Sequence, residues 1–386
     1  MNLRRRVLVI ARHFWPVTND DTLRLYHWVQ HLRELGAEVR VATPRWHNRW
    51  PRQIVCDGVT VQRIDYPPTH SLRMGRYARQ LGNWLEQVAG EFDAIYCDAI
   101  DLEAAAVLNT PQLTHLPLMV RYAAPLTGSV DEALVPLPAK TLALCRQANM
   151  ILAADVRSQQ QLLAAGLPRQ IVVRKPQIHG CCYDRRPEAR RRARQMLGEI
   201  NHDLFARSQD RVVVCPGELT RQWRVIELIH ELAPLIENHR ELRVWVLGDG
   251  RQRGSIYEAL RHDGLHRVVA MPGLFTDLEE IFQAADLCIF PASGLGLGWL
   301  VPTCIASGVP LLVSDSLEAR QQLESTADEL TYAAEQPLAL RQRFAQWLKQ
   351  PAQLSASIDR ARQLRLRTES PCLGVEDLFH CMEASA

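Results

Sequence analysis

The 386-residue sequence lacks the features that mark several common classes of protein. Its formal net charge is only +2 at pH 7, whereas nucleic-acid-binding proteins are usually more basic. No apolar run approaches the roughly 18 residues that a transmembrane helix requires. Ten cysteines are present, but none forms a C-x-x-C pair or lies at zinc-ligand spacing from a histidine. We therefore expect no nucleic-acid partner, no membrane span and no metal site.

The N-terminal residues imitate a secretory signal without completing one. Residues 4–6 are all arginine, but the apolar run at 7–11 is ended by Arg12 and His13 after only five residues. Without a secretory signal, the cysteines are expected to be reduced and to pack as small hydrophobic side chains. These features favour a cytoplasmic protein.

The first half of the chain alternates strand and helix patterns. Residues 7–11 form a continuous apolar run typical of a buried parallel strand, a helix is predicted over 22–35, Gly36 ends it, and a strand follows at 38–43. This order indicates a Rossmann-like beginning. Further strands are predicted at 59–64, 94–97, 118–122, 150–153 and 171–173, and helices at 76–88, 141–148 and 159–165.

Residues 176–210 have the composition of a linker that contains one basic helix. Six arginines lie within ten positions, at 185, 186, 190, 191, 192 and 194. Such a run is expected to form a solvated helix face. Weak peripheral contact with an anionic membrane, or with a phosphorylated acceptor, is the alternative for residues 185–194.

The strand–helix pattern restarts at residue 211 and leads to a stretch, 284–315, with an anion-binding design. A buried strand at 286–290 is followed by Gly294, Gly296 and Gly298, and a helix is predicted to open at Pro302. Glycines let a backbone approach a ligand closely, and a helix N-terminus directs free N–H groups toward negative charge. A phosphate or diphosphate is the simplest ligand. The alternative is that these glycines only turn the chain.

This stretch resembles the donor-sugar segment of the family 4 glycosyltransferases, which are retaining enzymes of the GT-B fold. The residues in register with the family pattern are Pro291, Gly296, Gly298, Ala306, Gly308, Pro310 and Asp315. The two glutamates of that pattern are absent, because Leu295 and Thr303 occupy their positions.

The resemblance covers essentially the whole chain and implies an α/β protein of GT-B type, with two Rossmann-like domains facing each other across a cleft. It implies an acceptor-side domain at 1–175, the linker at 176–210 and a nucleotide-sugar domain at 211–364. A tail helix within 365–386 would return to the N-terminal domain.

The segment PGELTRQWRVIEL resembles the part of the family that holds the donor diphosphate, but the family's arginine is replaced by Glu218 and its lysine by Trp223. Arg221 and Arg224 lie close by in sequence and could supply the missing charge, or could belong to a solvated loop. The donor-binding residues implied by the resemblance are Gly217, Arg221, Arg224, Gly248, Gly250, Gly296, Gly298 and Thr303. No catalytic residue is assigned.

The N-terminal domain also departs from the family. Where the family has a pair of glycines facing the donor phosphate, this chain has Asn19-Asp20-Asp21, which would repel a phosphate. We expect Asp20 or Asp21 to cap the following helix. The histidine that family members often carry near residue 120 is missing from 121–124, and His13 is the nearest candidate to replace it.

Three functions remain open from the sequence. The first is a metal-independent hexosyltransferase that uses a nucleotide-sugar donor and an unidentified acceptor, since no Asp-x-Asp motif is present and no cofactor is implied. The second is a catalytically inactive GT-B protein that acts as a binding or scaffold subunit. A sugar-nucleotide epimerase is weaker, because no carboxylate pair for acid–base chemistry is evident.

Overall fold

A computed structural model of the chain describes residues 5–17, 20–124, 135–174, 184–275, 278–292, 297–368 and 375–385. These residues form two compact units. Unit 1 contains the described residues up to 174 together with 375–385, and unit 2 contains those from 184 to 368.

Unit 1 is an α/β unit whose strands alternate with helices. Its strands are β1 (Arg6–Ile10), β2 (Glu38–Pro44), β3 (Gln53–Cys56), β4 (Val59–Ile64), β5 (Ala94–Cys97), β6 (Leu118–Tyr122), β7 (Met150–Ala153) and β8 (Val172–Val173). Its helices before residue 174 are α1 (Asp20–Glu34), α2 (Ser71–Val88), α3 (Leu102–Leu108), α4 (Ala139–Cys145) and α5 (Val156–Ala164).

The eight strands of unit 1 form one sheet in the order β3-β4-β2-β1-β5-β6-β7-β8. All pairs are parallel except β3 with β4. Side chains of a strand alternate between its two faces. In β1, Leu8 and Ile10 therefore enter one apolar core, while Val7 and Val9 enter a second core on the other face. A strand with both faces buried must be apolar throughout, which explains the continuous hydrophobic runs of the sequence.

Unit 2 repeats the plan with six parallel strands. Its helices are α6 (Pro187–Ile200), α7 (Val225–Asn238), α8 (Arg253–His262), α9 (Glu279–Ala284), α10 (Leu297–Ser307), α11 (Leu317–Leu323), α12 (Ala327–Leu330), α13 (Ala339–Lys349) and α14 (Pro351–Thr368). Its strands are β9 (Arg211–Pro216), β10 (Leu242–Leu247), β11 (Val269–Gly273), β12 (Leu287–Phe290), β13 (Leu311–Ser314) and β14 (Thr331–Tyr332), in the order β11-β10-β9-β12-β13-β14.

Both sheets have a topological switch point. This is a pair of neighbouring strands from which the chain adds later strands in opposite directions across the sheet. The switch lies between β1 and β5 in unit 1 and between β9 and β12 in unit 2. In open parallel sheets, ligands bind outside the carboxyl ends of the strands at such points. The prediction of two Rossmann-like α/β domains is confirmed.

The last helix, α15 (Val375–Ser385), belongs to unit 1. Leu378 and Phe379 are buried in the core beneath β1 and α1. The Arg5 guanidinium lies 4.2 Å from the centre of the Phe379 ring and forms a 2.6 Å ion pair with Glu383. The preceding helix α14 extends to Thr368, past the domain end at 364 expected from the sequence. No helix among the described residues is long and apolar enough to cross a membrane.

Helix α10 begins at Leu297, so the predicted helix start at Pro302 was wrong. A proline in a helix removes the hydrogen bond to the carbonyl four residues earlier, which here is the carbonyl of Gly298. Only one bond is lost, and buried side chains stabilise the helix on both sides of the proline, Leu300 and Val301 before it and Cys304 and Ile305 after it. Gly294 and Gly296 of the predicted loop lie outside the described residues, while Gly298 is the second residue of α10.

Helix α6 is docked on unit 2 through its arginines, so the predicted solvated face at 185–194 was wrong for half of them. Arg194 is 3% exposed and donates to the carbonyl of Ala284 at 3.0 Å and to the Asp286 carboxylate at 2.5 Å. Arg190 reaches the same carboxylate at 2.7 Å, and Arg185 donates to two carbonyls at the end of α9. Carbonyls at a helix C-terminus lack partners within the helix, and the arginines supply these.

Candidate functional site

The loops after β9 and β10 form the carboxyl edge of unit 2, and their glycines are required by loop packing. Gly217 and Gly248 have φ values of +143° and +123°, which side chains rarely adopt. A Cβ on Gly248 would overlap the carbonyl oxygen of Gly217, and one on Gly250 would overlap that of Leu219. The Leu219 N–H donates to the Asp249 carbonyl at 3.0 Å. The loops after β9 and β10 thus pack backbone against backbone, and this packing explains the glycines without any ligand.

Trp223 takes the position where the family resemblance places a lysine. Its side chain is buried, and its Nε1–H donates to the Pro216 carbonyl at 3.1 Å. The indole covers Gly217 so closely that a Cβ there would overlap the ring. No cation is therefore available at this position, and an aromatic ring fills the space beside the β9 loop.

The two arginines predicted to replace the lost charge have different environments. Arg221 is exposed at the start of a single 3-10 turn, Arg221–Trp223, and makes no salt bridge with the described residues. Arg224, at φ +56°, precedes α7 and pairs with Glu335 at 3.3 Å and with the carbonyl of Ala334 at 3.4 Å. Glu335 is exposed, so this ion pair contributes at most about 1 kcal/mol.

Thr303 lies in the second turn of α10, as its seventh residue, so its predicted place in the first turn was wrong. It is 1% exposed, and its hydroxyl donates to the carbonyl of Trp299 at 2.7 Å. The hydroxyl hydrogen is therefore used within the helix. Leu295 lies outside the described residues.

A second candidate site lies in unit 1, where a cavity of about 360 Å³ opens at the carboxyl edge of the sheet. Four of its charged lining residues lie within or after strands near the switch point between β1 and β5, namely Arg12, Asp98, Asp101 and Arg121, and a fifth, Asp21, lies in the first turn of α1. The Asp98 N–H donates to the carbonyl of Ile10 at 2.9 Å, which holds the two strand ends together.

An ion network around two buried arginines forms one side of this cavity. Arg24 is 3% exposed and pairs with Asp98 at 2.5 Å and with Asp21 at 3.5 Å. Arg121 also pairs with Asp21, at 3.1 Å, and the Tyr96 hydroxyl donates to Asp98 at 2.9 Å. Among the described residues, Arg24 and Arg121 each retain N–H groups without a hydrogen-bond partner.

Asp21 is the second residue of α1 and pairs with arginines instead of capping the helix, so that prediction was wrong for Asp21. The Asp21 side chain is 57% exposed, and the guanidinium groups of Arg121 and Arg24 hold the pKa of its carboxyl below its usual range. Two guanidinium groups attract a carboxylate more strongly than backbone N–H groups do. They also compensate the negative charge that was expected to repel a phosphate. Asn19 lies outside the described residues.

A second ion cluster supports the outer side of the cavity. Arg12 binds the buried carboxylate of Glu103 through two hydrogen bonds, at 2.7 and 2.9 Å, and pairs with Asp101 at 2.9 Å. The indole N–H of Trp46 donates to the Arg12 carbonyl at 2.9 Å. Bidentate pairs of this kind fix the guanidinium orientation.

His13 lines the same cavity and is half-buried. Its ring stacks on Trp46, with the ring centres 4.8 Å apart, and its Nδ1 has no partner among the described residues. Burial, assisted by the adjacent Arg12 guanidinium, lowers the pKa of His13. The imidazole is therefore neutral at pH 7, and it can donate a hydrogen bond to a ligand in the cavity or accept one from it.

The cavity combines fixed carboxylates, fixed guanidinium groups and a neutral imidazole. Such a lining offers both acceptors and donors, which suits a ligand rich in hydroxyl groups. The sequence interpretation named His13 but missed Arg24, Asp98 and Arg121. For Asp98 and Arg121 the available signal was a charged residue within or directly after a buried strand, whereas Arg24 lies in α1 and had no such signal. The described residues contain no group of side chains that could hold a metal ion.

Residues 210–350 match the family model described as glycosyl transferases group 1. No curated protein matches the chain in sequence. In structure, the chain is similar to Alr3699/HepE from Anabaena, solved with UDP and glucose, at a TM-score of 0.69 and 16% identity, covering 99% of this chain and 100% of that one.

Two further solved structures are similar over nearly the full chain. Sucrose-phosphate synthase from Thermosynechococcus elongatus has a TM-score of 0.72 and 15% identity, covering 99% of this chain and 100% of that one. WaaG, a glycosyltransferase involved in lipopolysaccharide biosynthesis, has a TM-score of 0.63 and 16% identity, covering 98% of each chain. The protein therefore has the GT-B glycosyltransferase fold, and its second half carries a glycosyl transferases group 1 domain.

Proposed function

We propose that the protein is a divergent glycosyltransferase of the family 4 type, which transfers a sugar from a nucleotide-sugar donor to an acceptor. The observation that carries this proposal is the match of residues 210–350 to the glycosyl transferases group 1 model, because that stretch contains the residues proposed to bind the donor. The Anabaena relative was solved with UDP and with UDP-glucose, which supports a nucleoside diphosphate as the leaving group.

The donor diphosphate would lie at the carboxyl edge of unit 2, beside the loops that hold Gly217, Gly248 and Gly250. Negative charge develops on the leaving diphosphate as the glycosidic bond breaks, so a fixed cation nearby stabilises the transition state. Arg221 is exposed and makes no salt bridge with the described residues, and Arg224 is held by a weak surface pair with Glu335 and a 3.4 Å hydrogen bond to the Ala334 carbonyl. Both can turn to a phosphate at little cost.

The acceptor would occupy the cavity of unit 1. Asp98 and Asp101 can accept hydrogen bonds from sugar hydroxyls, and the unpartnered N–H group of Arg121 can donate one. The ion pairs that Asp98, Asp101 and Arg121 make within unit 1 keep these side chains in place before a ligand binds. Less conformational entropy is therefore lost on binding.

A cytoplasmic location is part of the proposal. The six cysteines whose side chains the structure describes are free thiols, and five of them are buried. Burial raises the pKa of the Cys215 and Cys97 thiols, which makes them poorly reactive.

The second candidate function is a catalytically inactive GT-B protein that acts as a binding or scaffold subunit. Two observations favour it. The indole of Trp223 fills the position of the family's lysine, and the hydroxyl of Thr303 donates its hydrogen bond to a carbonyl of its own helix. Losing the charged partners of a diphosphate costs about 1.5–3 kcal/mol per hydrogen bond.

Thermal unfolding of the full chain with nucleoside diphosphates tests the proposal. A ligand present at about 100 times its Kd stabilises the native state by about 2.7 kcal/mol, so UDP, ADP or GDP should raise the Tm by several degrees. EDTA should leave this shift unchanged, because the described residues offer no metal site. If no nucleotide or nucleotide sugar changes the Tm, the proposal is wrong.

Three arginine variants locate the diphosphate. Arg221→Ala and Arg224→Ala should each weaken nucleotide binding by roughly tenfold, the effect of one lost charge-assisted hydrogen bond. Arg261→Ala is the control, because the last turn of α8 lies at the opposite edge of the sheet. Unchanged binding in both test variants contradicts the charge replacement. Tight nucleotide binding without hydrolysis or transfer of the sugar would favour the inactive protein.

A further inference from the structure

The first turns of α2 are exposed to solvent rather than packed in the core of unit 1. Every residue from 71 to 76 is exposed, and the buried face of the helix begins only at Tyr77. The sequence pattern placed the start of this helix at 76, because these first turns carry no apolar repeat. Leu72 is 78% exposed and Met74 is 37% exposed, while Tyr66, in the loop just before the helix, is 45% exposed. Two large apolar side chains of the first turns of α2 and one from the preceding loop are therefore exposed to water.

The same surface carries positive charge without compensation. Arg73, Arg76 and Arg79 are exposed and form no salt bridge with any described residue. No aspartate or glutamate occurs between residues 66 and 85. The arginines in and just before helix α6 have the opposite arrangement, since five of the six pair with carboxylates or donate to backbone carbonyls.

We infer that this α2 tip, formed by Tyr66, Leu72 and Met74 with Arg73, Arg76 and Arg79, binds the surface of an anionic lipid bilayer. An exposed leucine gains little from nucleic acid but loses its contact with water when it enters the headgroup region. The exposed arginines of the same helix, Arg73, Arg76 and Arg79, match lipid phosphates in charge and geometry. Tyrosine suits the boundary between headgroups and acyl chains.

The binding is expected to be reversible, because a short apolar tip and three cations give only moderate affinity. Removing all three arginines should lower vesicle partitioning by roughly 100-fold, and removing the leucine side chain by about tenfold. Binding should also weaken as salt rises from about 0.1 M to about 1 M, since the screening length falls from about 10 Å to about 3 Å.

Sedimentation of the full chain with vesicles tests the inference. The probes are vesicles of phosphatidylcholine alone and vesicles that also contain phosphatidylglycerol. We expect binding to the anionic vesicles only, and its loss in the joint variant Arg73→Ala, Arg76→Ala and Arg79→Ala. Leu72→Ser should show the intermediate loss. All four positions are exposed, so the Tm should hardly change.

The matched control removes three arginines from α6. Arg186→Ala, Arg191→Ala and Arg192→Ala change the net charge equally but leave the docked arginines of that helix intact, and this variant should bind vesicles almost as the parent does. Absence of binding to anionic vesicles overturns the inference. So does an equal loss in the α6 control, or a Leu72→Ser variant that binds normally. Tip-dependent binding to RNA or polyglutamate without vesicle binding also overturns it.

Discussion

Changing Thr303 to glutamate would return the carboxylate that the family 4 pattern carries, at a position that is 1% exposed. The change removes the hydrogen bond from the threonine hydroxyl to the Trp299 carbonyl, worth about 1 kcal/mol. It also buries an unpaired carboxylate, which costs several kcal/mol. We expect a total loss of about 3–5 kcal/mol and a Tm lower by roughly 10 °C.

Nucleotide binding should recover part of this loss if the proposed donor site is correct. Ribose hydroxyls would donate to the new carboxylate, and each charge-assisted hydrogen bond contributes about 1.5–3 kcal/mol. Calorimetric unfolding with and without UDP, ADP and GDP measures both effects. Thr303→Gln is the control for size and Thr303→Val for the lost hydroxyl, because neither introduces a charge.

The pH dependence checks that buried charge is the cause. Burial would raise the pKa of the new carboxyl in the folded protein above its unfolded value of about 4.3. The folded state then binds more protons, so stability relative to the parent should recover as the pH falls from about 7 to about 5. A glutamate variant that unfolds at the parent's Tm would refute the burial argument. A loss that no nucleotide relieves would refute the donor role of position 303.

Two further predictions concern contacts that hold unit 2 together. Asp286→Asn should destabilise unit 2 by about 3–5 kcal/mol in denaturant unfolding, because the buried Arg194 loses its counter-charge, whereas Asp184→Asn, which disrupts an exposed pair, should have little effect. Gly248→Ala should lower the Tm because its Cβ would overlap a backbone oxygen at a positive φ, whereas Gly254→Ala, in open space within α8, should be neutral or slightly stabilising.

Strands were easier to predict than helix ends. The run at 94–97 was predicted from its apolar residues and is β5 without any change, since a strand buried on both faces is apolar at almost every position. Helix α10 began five residues before its predicted start, because tertiary burial outweighed the local effect of Pro302. Helix α2 also began five residues early, because its exposed turns have no apolar face to recognise.

The sequence by itself determined the two α/β halves, the restart near residue 211 and the glycine-rich loops after the strands. These features follow from local rules, because apolar periodicity and positive φ are properties of neighbouring residues. Only the tertiary structure decided which charges meet. Arg24 and Asp98 are 74 residues apart, and Arg194 and Asp286 are 92 apart. Their pairing depends on the order of strands in each sheet, which brings distant strand ends and helices together and which no local pattern encodes.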